Sequence, residues 1–266
     1  MILFPNAKIN LGLRVLRKRT DGFHDIESIM VPIPVYDIIE ITAAESFSYI
    51  QTGIFIPTDG TEGLVQRAYR IIKDNYPIGP VAIHLRKQIP IGAGLGGGSS
   101  DAAFTIKGLN TWFELGLSDR TMEQLAAELG SDCAFFIKNQ PSFAEGRGER
   151  LSPANIDFSP FFIAVYNPGI HVSTAIAYSG VMPNPAHTLT RETLNTTLWQ
   201  DAYINDFEPC VGYEHPQIIA GIQQLKNLGA FYAAMSGSGS SYFGLFKDKP
   251  VALNKQGLIY FGNATL

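Results

Sequence analysis

The sequence predicts a chain in which β-strands and amphipathic α-helices are interspersed. Residues 9–15 and 81–86 alternate apolar and polar side chains, a pattern typical of strands with one buried face. Residues 62–76 and 216–228 instead place their apolar residues on one helical stripe. With 266 residues, 45% of them hydrophobic and 17% charged, the chain has enough apolar residues for one large or two modest domains.

The overall charge and the cysteine count exclude several classes of protein. The formal net charge is −4 and no basic block occurs, so nucleic acid is not an expected partner. No apolar run approaches the length of a membrane span, and the N-terminus does not resemble a cleavable signal, so we expect a cytoplasmic protein without a membrane partner. Cys133 and Cys210 lie far apart in no metal-binding spacing, which favours two free thiols.

The first predicted strand, residues 9–15, carries polar side chains on one face. Lys8 and Asn10 lie two residues apart on that face, where both can reach a single anion, or they form an ordinary solvated surface. Asp21-Gly22 then predicts a turn, and a returning strand follows it. Further strands are predicted over 37–42 and 46–51, before the helix over 62–76.

A glycine-rich loop follows the strand over 81–86 and precedes a predicted helix that serine or aspartate caps. Free amides of such a loop, together with the helix dipole, favour an anion, and a phosphate chain is the natural ligand. The loop consists of Pro90, Ile91, Gly92, Ala93, Gly94, Leu95, Gly96, Gly97, Gly98, Ser99 and Ser100.

Several known phosphate loops compete for this segment. A Walker A loop requires a lysine after its last glycine, and here Ser99 and Ser100 follow instead. A dinucleotide fingerprint is formally present from Gly92 to Gly97, but residues 109–129 predict more helix rather than a second parallel strand. The companion motifs of a protein-kinase loop do not occur in the sequence. An idle glycine turn is the remaining alternative.

The second half of the chain adds further candidates. Asp132 stands before an apolar run, where it is either the cap of a short helix or a functional carboxylate. Strands are predicted over 143–152 and 161–166, and no chemistry is assigned to Asn205-Asp206-Phe207-Glu208. The segment from Ser236 to Gly239 repeats the glycine–serine theme, either as a hairpin turn or as a second backbone cradle over the active site.

These motifs, spread in order from residue 5 to residue 244, resemble those of the GHMP kinases. The loop 90–100 resembles their ATP loop, and residues 5–13 with 19–24 resemble the N-terminal signature of the branch that acts on a cytidine diphosphate ester of methylerythritol. Departures are Phe23 for the usual tyrosine, and Ser131, Cys133 and Ala134 for Ala, Val and Pro.

The resemblance implies an α+β fold of two domains. Residues 1–152 would form a ribosomal-protein-like β/α domain, and residues 153–266 a ferredoxin-like α/β sandwich. It also implies a monomer or weak dimer that phosphorylates the 2-hydroxyl of the methylerythritol unit for isoprenoid biosynthesis without mevalonate. ATP would be the donor and Mg²⁺ would accompany it, with a hydroxyl of Ser99 or Ser100 as one possible ligand.

The same resemblance assigns roles to individual residues. Lys8 and Asp132 would be the catalytic pair, and residues 90–100 would bind ATP. The substrate residues would be Asn10, Phe23, His24, Thr174, Tyr178, Ser236 and Gly237, with the rings of Phe23 and Tyr178 on either side of the cytosine. The rival functions are a GHMP kinase for mevalonate, phosphomevalonate or homoserine, a non-catalytic nucleotide sensor, and a Rossmann oxidoreductase.

Overall fold

A computed structural model of the protein describes residues 1–55, 61–191 and 195–266. The strands in these ranges are β1 (Ile2–Leu3), β2 (Asn6–Lys18), β3 (His24–Tyr36), β4 (Ile38–Ala43), β5 (Ser48–Gly53), β6 (Val81–Lys87), β7 (Ser142–Gly146), β8 (Arg150–Pro153), β9 (Phe162–Tyr166), β10 (Tyr232–Met235), β11 (Tyr242–Phe246) and β12 (Leu258–Asn263). The α-helices are α1 (Leu64–Asn75), α2 (Gly97–Trp112), α3 (Asp119–Leu129), α4 (Phe135–Lys138), α5 (Thr174–Gly180), α6 (Trp199–Ala202), α7 (Glu208–Glu214) and α8 (Pro216–Asn227).

The chain forms two compact units, each built from separate segments. The first unit comprises Met1–Ala7, Val35–Ile91 and Gly96–Gln140. The second comprises Lys8–Pro34, Gly92–Leu95 and Pro141–Leu266. The domain boundary between residues 152 and 153 stays a prediction.

The first unit is a four-stranded sheet covered by helices. Its strand order is β1-β4-β6-β5, in which β4 and β6 are antiparallel and β5 runs parallel to β6. Helix α2 packs against α1 and approaches β4 closely at Gly108, where an added Cβ would lie 2.9 Å from the Ile41 side chain. The periodicity of the sequence correctly predicts β4, β5, β6 and α1, whereas β1 was not predicted.

The second unit contains two further four-stranded sheets. One has the order β2-β3-β7-β8, although the ends of β2 and β3 extend into the first unit. The other, β10-β11-β9-β12, is antiparallel throughout, and α8 packs on β10 and β11. Because Met235 pairs with Tyr242, the glycine–serine segment between them is the loop of a β-hairpin.

Strand β2 differs from its sequence prediction. We expected one buried face, with a solvated polar face as one alternative, but every residue from Asn6 to Leu13 is buried. The polar side chains are accommodated because they bond to one another and to the backbone: Asn10 Nδ2 donates to Ser28 Oγ (2.8 Å), and Ser28 Oγ donates to the Gly12 carbonyl (2.7 Å). A solvated face at Lys8 and Asn10 is therefore excluded.

Candidate active site

The glycine loop changes direction through three glycines in the left-handed region. Gly92, Gly94 and Gly96 have φ values of +61°, +76° and +70°, which side chains with a Cβ rarely adopt. Gly96 is also the N-cap residue of α2. The expectation that serine or aspartate caps this helix was wrong, since Ser99 and Ser100 lie inside its first turn.

This helix start leaves donors available for an anion. The first N–H groups of any helix have no acceptor within the helix, and a glycine at the N-cap has no side chain to bond them. The Ser100 hydroxyl oxygen is buried and has no hydrogen-bond partner among the residues described. The helix start therefore offers backbone amides and one unpartnered hydroxyl, which suit a phosphate chain with its cation.

Within the second unit, the glycine loop is bonded to the hairpin loop over 236–241. Ser236 Oγ donates to the Gly94 carbonyl at 2.9 Å, and the Ser241 amide donates to the Ala93 carbonyl at 3.1 Å. A Cβ on Gly94 would collide with the Ser236 carbonyl oxygen. The glycine at this position is therefore required both by its φ value and by the close approach of the second loop.

The predicted catalytic lysine belongs to the same bonded assembly. The Lys8 amide donates to the Leu95 carbonyl at 2.9 Å, which fixes β2 beside the glycine loop. The Lys8 ammonium donates to Asn10 Oδ1. Both side chains are almost fully buried, with 3% and 1% exposure. The structure thus brings Lys8, Asn10, residues 93–95 and the hairpin loop together within one unit.

Asp132, the predicted catalytic carboxylate, lies in the first unit. It occupies the turn between Gly130, which ends α3, and α4. The N-cap of α4 is Ala134, so Asp132 is not the cap of that short helix, which was one of the two alternatives. Burial raises the pKa of the neighbouring Cys133 thiol to about 11, and the charge of Asp132 acts in the same direction.

The predicted cytidine residues lie in the second unit. His24 stacks on Tyr178 with ring centroids 4.7 Å apart and planes inclined by 19°. Burial lowers the pKa of His24, and the charge of Lys18 lowers it further, which favours the neutral imidazole. Thr174 Oγ1 is 3.1 Å from Ser238 Oγ, which connects α5 to the hairpin loop. Tyr178 therefore already has a flat ring partner.

Phe23 is placed differently from His24. Its ring is 50% exposed, and the guanidinium carbon of Arg147 lies 5.0 Å from the ring centroid. The sandwich of cytosine between Phe23 and Tyr178 stays a prediction. Arg147 was not among the expected site residues.

The sequence analysis also did not predict a buried charge cluster that lies next to the glycine loop in the sequence. Lys87 Nζ donates to Asp37 Oδ2 at 2.5 Å and to Asp101 Oδ2 at 2.7 Å. The remaining Asp37 oxygen accepts the amides of Gln88 and Ile89, so the cluster fixes the start of the loop segment as well as α2. Burial raises the pKa of Asp101 to about 7, against the opposing effect of Lys87. Strand alternation is a usable signal, because it places Lys87 on the buried face with Val81, Ile83 and Leu85.

Other kinds of site find little support in the described part of the chain. No group of three or more His, Cys, Asp or Glu residues there could hold a metal ion. Among the same residues, no helix combines the length and the apolar character that crossing a bilayer requires. Cys133 and Cys210 are both free thiols, as predicted.

Comparisons with known proteins give consistent matches over most of the chain. The family models described as "GHMP kinases N terminal domain" and "GHMP kinases C terminal" match residues 63–140 and 190–256. A relative from Cytophaga hutchinsonii, named 4-diphosphocytidyl-2-C-methyl-D-erythritol kinase, is 48% identical over 255 residues, 94% of each chain. A relative of the same name from Parabacteroides distasonis is 45% identical and covers 97% of this chain and 96% of its own length.

Solved structures agree with these relatives. A crystal structure of 4-(cytidine 5'-diphospho)-2C-methyl-D-erythritol kinase matches with a TM-score of 0.76 and 32% identity, and covers 92% of this chain and 90% of that one. The mevalonate kinase of Methanococcus jannaschii matches with a TM-score of 0.69 over 92% of this chain and 90% of its own, at 15% identity. The second match reflects a shared fold alone.

Proposed function

The chain belongs to the GHMP kinases, in the branch of the 4-diphosphocytidyl-2-C-methyl-D-erythritol kinases, and on this premise we propose that it phosphorylates the 2-hydroxyl of 4-diphosphocytidyl-2-C-methyl-D-erythritol. The products are the 2-phosphate and ADP, in isoprenoid biosynthesis without mevalonate. The observation that carries the choice of acceptor is the 48% identity to a relative of that name over 94% of both chains. The α+β fold of GHMP domains is confirmed by the same membership.

The donor side of the reaction rests on the two loops. The amides that follow the Gly96 cap, with those of the glycine loop, bind the phosphates of ATP. The hairpin loop over 236–241 holds the loop in place through Gly94 and Ala93. The Ser100 hydroxyl, which has no partner among the described residues, or the hydroxyl of Ser99 would hold the Mg²⁺ that accompanies the phosphates. The ion would supply positive charge to offset the charge of the transferring phosphoryl group.

The acceptor side rests on three polar groups and the aromatic surface. The ring of Tyr178, with His24 and Phe23, holds the cytosine by stacking, while Thr174 borders the same pocket. The Asn10 amide contacts the diphosphate. Asp132 accepts the proton of the 2-hydroxyl while the hydroxyl oxygen forms a bond to the γ-phosphorus of ATP. The bond from that phosphorus to the β–γ bridging oxygen breaks, and ADP leaves. Lys8 offsets the charge that the transferring group carries.

The test is ADP release from Mg-ATP with and without 4-diphosphocytidyl-2-C-methyl-D-erythritol. We expect release that requires this acceptor and falls by about 10²–10⁴-fold in Asp132→Asn and Lys8→Ala, the range for loss of an acid–base or charge-stabilising group. Lys255→Ala, at an exposed position before β12, and Asp119→Asn, at the exposed start of α3, are matched controls that keep the wild-type rate.

Each other outcome excludes part of the proposal. Release with mevalonate, phosphomevalonate or homoserine in place of the cytidylated acceptor keeps the kinase and refutes the substrate. Wild-type activity that persists in both variants refutes the catalytic pair. ATP binding without release from any acceptor identifies a nucleotide sensor. A cytoplasmic location and a monomeric or weakly dimeric state remain predictions alongside this proposal.

A further inference from the structure

The motif Asn205-Asp206-Phe207-Glu208 has no part in the proposed chemistry, yet it lies directly beside β2. The Leu13 amide donates to the Ile204 carbonyl at 2.9 Å, and the Asp206 amide donates back to the Leu13 carbonyl at 2.8 Å. These bonds join residues 204–206 to the strand that carries Lys8 and Asn10. The motif is therefore fixed to the catalytic strand by its backbone.

Asp206 strengthens that attachment. Its Oδ2 accepts the Val15 amide at 2.9 Å, and its Oδ1 accepts a guanidinium N–H of Arg14 at 2.8 Å. The pair is largely shielded from water, since the two side chains are 15% and 12% exposed. Charge-assisted bonds in such a place hold geometry better than exposed ones.

Asn205 bonds in the opposite direction, toward the hairpin loop. Its side chain is 1% exposed, and its two amide N–H donors reach the carbonyls of Met235 (2.9 Å) and Gly237 (2.8 Å). Its Oδ1 accepts the amide of Phe207 at 3.0 Å. A primary amide has two donors and one carbonyl, and all of them are engaged, so only asparagine in this orientation satisfies the three partners.

Glu208 holds the same strand end from the other side. Its Oε1 accepts the Met235 amide at 2.8 Å, so Met235 is bonded at both its N–H and its carbonyl by residues of one motif. Burial raises the pKa of Glu208, which is acceptable here because a protonated carboxyl still accepts through its carbonyl oxygen.

The loop held in this way has little freedom to move. Ser236 and Ser241 bond to the glycine loop, and a Cβ on Gly237 would lie 3.2 Å from the Gly94 Cα and 3.4 Å from Asn10 Oδ1. Rotation of the Gly237 peptide would therefore disturb both the glycine loop and the Asn10 amide. The carbonyls that Asn205 bonds are the ones that set the orientation of this peptide.

We propose that Asn205 is a positioning residue for phosphoryl transfer, whose two amide donors fix the Met235 and Gly237 carbonyls and so hold the hairpin loop against the glycine loop and Asn10. Asn205 acts through the loop and touches neither ATP nor the acceptor. The proposal rests on the function proposed above for its kinetic consequence, but its structural consequence can be measured separately.

The test replaces one amide by an isosteric carboxylate, Asn205→Asp. A carboxylate opposite two carbonyl oxygens donates nothing and repels both, so we expect kcat/KM for ATP to fall about 10–100-fold at pH 8, as for a displacement of about 1 Å at a reacting centre. At pH 6 the carboxyl is protonated more often and donates one bond again, so the ratio of variant to wild-type activity rises several-fold. The neighbouring charges of Arg14, Asp206 and Glu208 are common to both proteins, so their own effects on activity cancel in this ratio. They still act on the pKa of the introduced carboxyl, which the two acidic groups raise and Arg14 lowers.

Asn75→Asp is the matched control. Asn75 Nδ2 also donates to a backbone carbonyl, that of Ile71 at 2.8 Å, but from the exposed end of α1. The Asn75→Asp variant is expected to keep the wild-type kcat/KM, and its ratio of variant to wild-type activity should not change with pH. Hydrogen exchange supplies a readout that needs no acceptor: the amides of Ser236, Gly239 and Ser241 exchange faster in Asn205→Asp than in Asn75→Asp.

The outcomes separate the two proposals. An inactive wild-type protein whose loop amides still lose protection in Asn205→Asp refutes the kinase function and supports only the structural part of the inference, that Asn205 fixes the hairpin loop. An active wild-type protein with unchanged exchange, kinetics and pH ratio in Asn205→Asp overturns the inference. Should Asn205→Asp lack a cooperative thermal transition, Asn205→Ala takes its place, with the same expected loss of kcat/KM and loop protection and no recovery at low pH.

Discussion

Replacement of Lys87 by methionine should destabilise the first unit severely. In the wild type one ammonium serves two buried carboxylates, and all three side chains are 2% exposed or less. Methionine matches the length of the lysine stem but leaves Asp37 and Asp101 facing each other without a cation. Asp37 keeps the amides of Gln88 and Ile89, whereas Asp101 Oδ1 already has no partner among the described residues.

The size of the effect follows from this arrangement. Removal of one partner of a buried ion pair costs about 3–5 kcal/mol, because the remaining charge has neither water nor a counter-ion. We expect a loss of about 4 kcal/mol at pH 8, and less at pH 5, where one carboxyl of the pair accepts a proton and needs no cation. With a urea m-value of about 2.5 kcal/mol/M, the midpoint falls by about 1.6 M.

Urea unfolding followed by far-UV circular dichroism measures this difference. Lys138→Met is the matched control, since Lys138 pairs with Glu123 at 2.9 Å but is 49% exposed, and such pairs contribute about 0.2–1 kcal/mol. The double variant Lys87→Met/Asp101→Asn removes the second buried carboxylate and should recover about half of the loss. A Lys87→Met midpoint within error of that of Lys138→Met, or no recovery in the double variant, would refute the assignment of a buried charge cluster that depends on Lys87.

Two further predictions concern single residues of the loop region. Because burial raises the pKa of Asp101 to about 7, the native state binds more protons than the unfolded state between about pH 4 and pH 7, so wild-type stability falls as the pH rises through this window. Asp101→Asn lacks this titration, so the urea midpoint of the variant minus that of the wild type should increase from pH 5 to pH 8. A difference that stays constant over this pH range would contradict the raised pKa. Gly94→Ala should lower kcat/KM for ATP by about 10–100-fold, because its Cβ displaces the Ser236 carbonyl. Gly116→Ala, with a φ of +66° and open space around the added Cβ, tests strain alone and should leave kcat/KM unchanged.

The regular elements were largely predictable because their signals are local. The alternation over 81–86 and the stripes over 62–76 and 216–228 correspond to β6, α1 and α8 with boundaries shifted by one or two residues. Such patterns report which side of an element is buried within its own sheet or helix layer. These patterns give the wrong result at β2. Alternation along one strand cannot show that its polar face will be buried by hydrogen-bond partners from a neighbouring strand, such as Ser28.

The helix cap shows a different limit. Ser99, Ser100 and Asp101 are good cap residues, and helix-propensity rules therefore favour one of them at the start of α2. The structure begins the helix earlier, at Gly97 after a left-handed Gly96, and leaves the amides of the first turn uncapped. A side-chain cap would occupy the donors that a phosphate needs. On the proposed function, the local rule fails at this position because phosphate binding competes with capping.

The candidate site was predictable as a set of motifs but not as an arrangement. The motifs identified Lys8, Asp132 and both glycine loops, yet they contained no information on which ring faces Tyr178. His24 occupies that position, and Phe23 instead lies under the Arg147 guanidinium. Adjacent residues at the start of a strand point to opposite sides, so a one-residue difference in register decides which of two aromatic rings becomes the partner.

The conformation of the two glycine-rich loops is determined by residues outside them. Glycine has no side chain, so a glycine-rich loop cannot fix its own shape and loses more entropy on ordering than any other sequence. Its order must come from polar partners elsewhere in the chain. Here the Ser236 hydroxyl and the Ser241 amide bond the first loop, Asn205 bonds the second, and Lys87 with Asp101 joins the two ends of the segment that contains the first. Substitutions at these positions outside the loops should therefore lower kcat/KM for ATP as strongly as substitutions within the loops. Substitutions at exposed positions such as Asn75 should leave it unchanged.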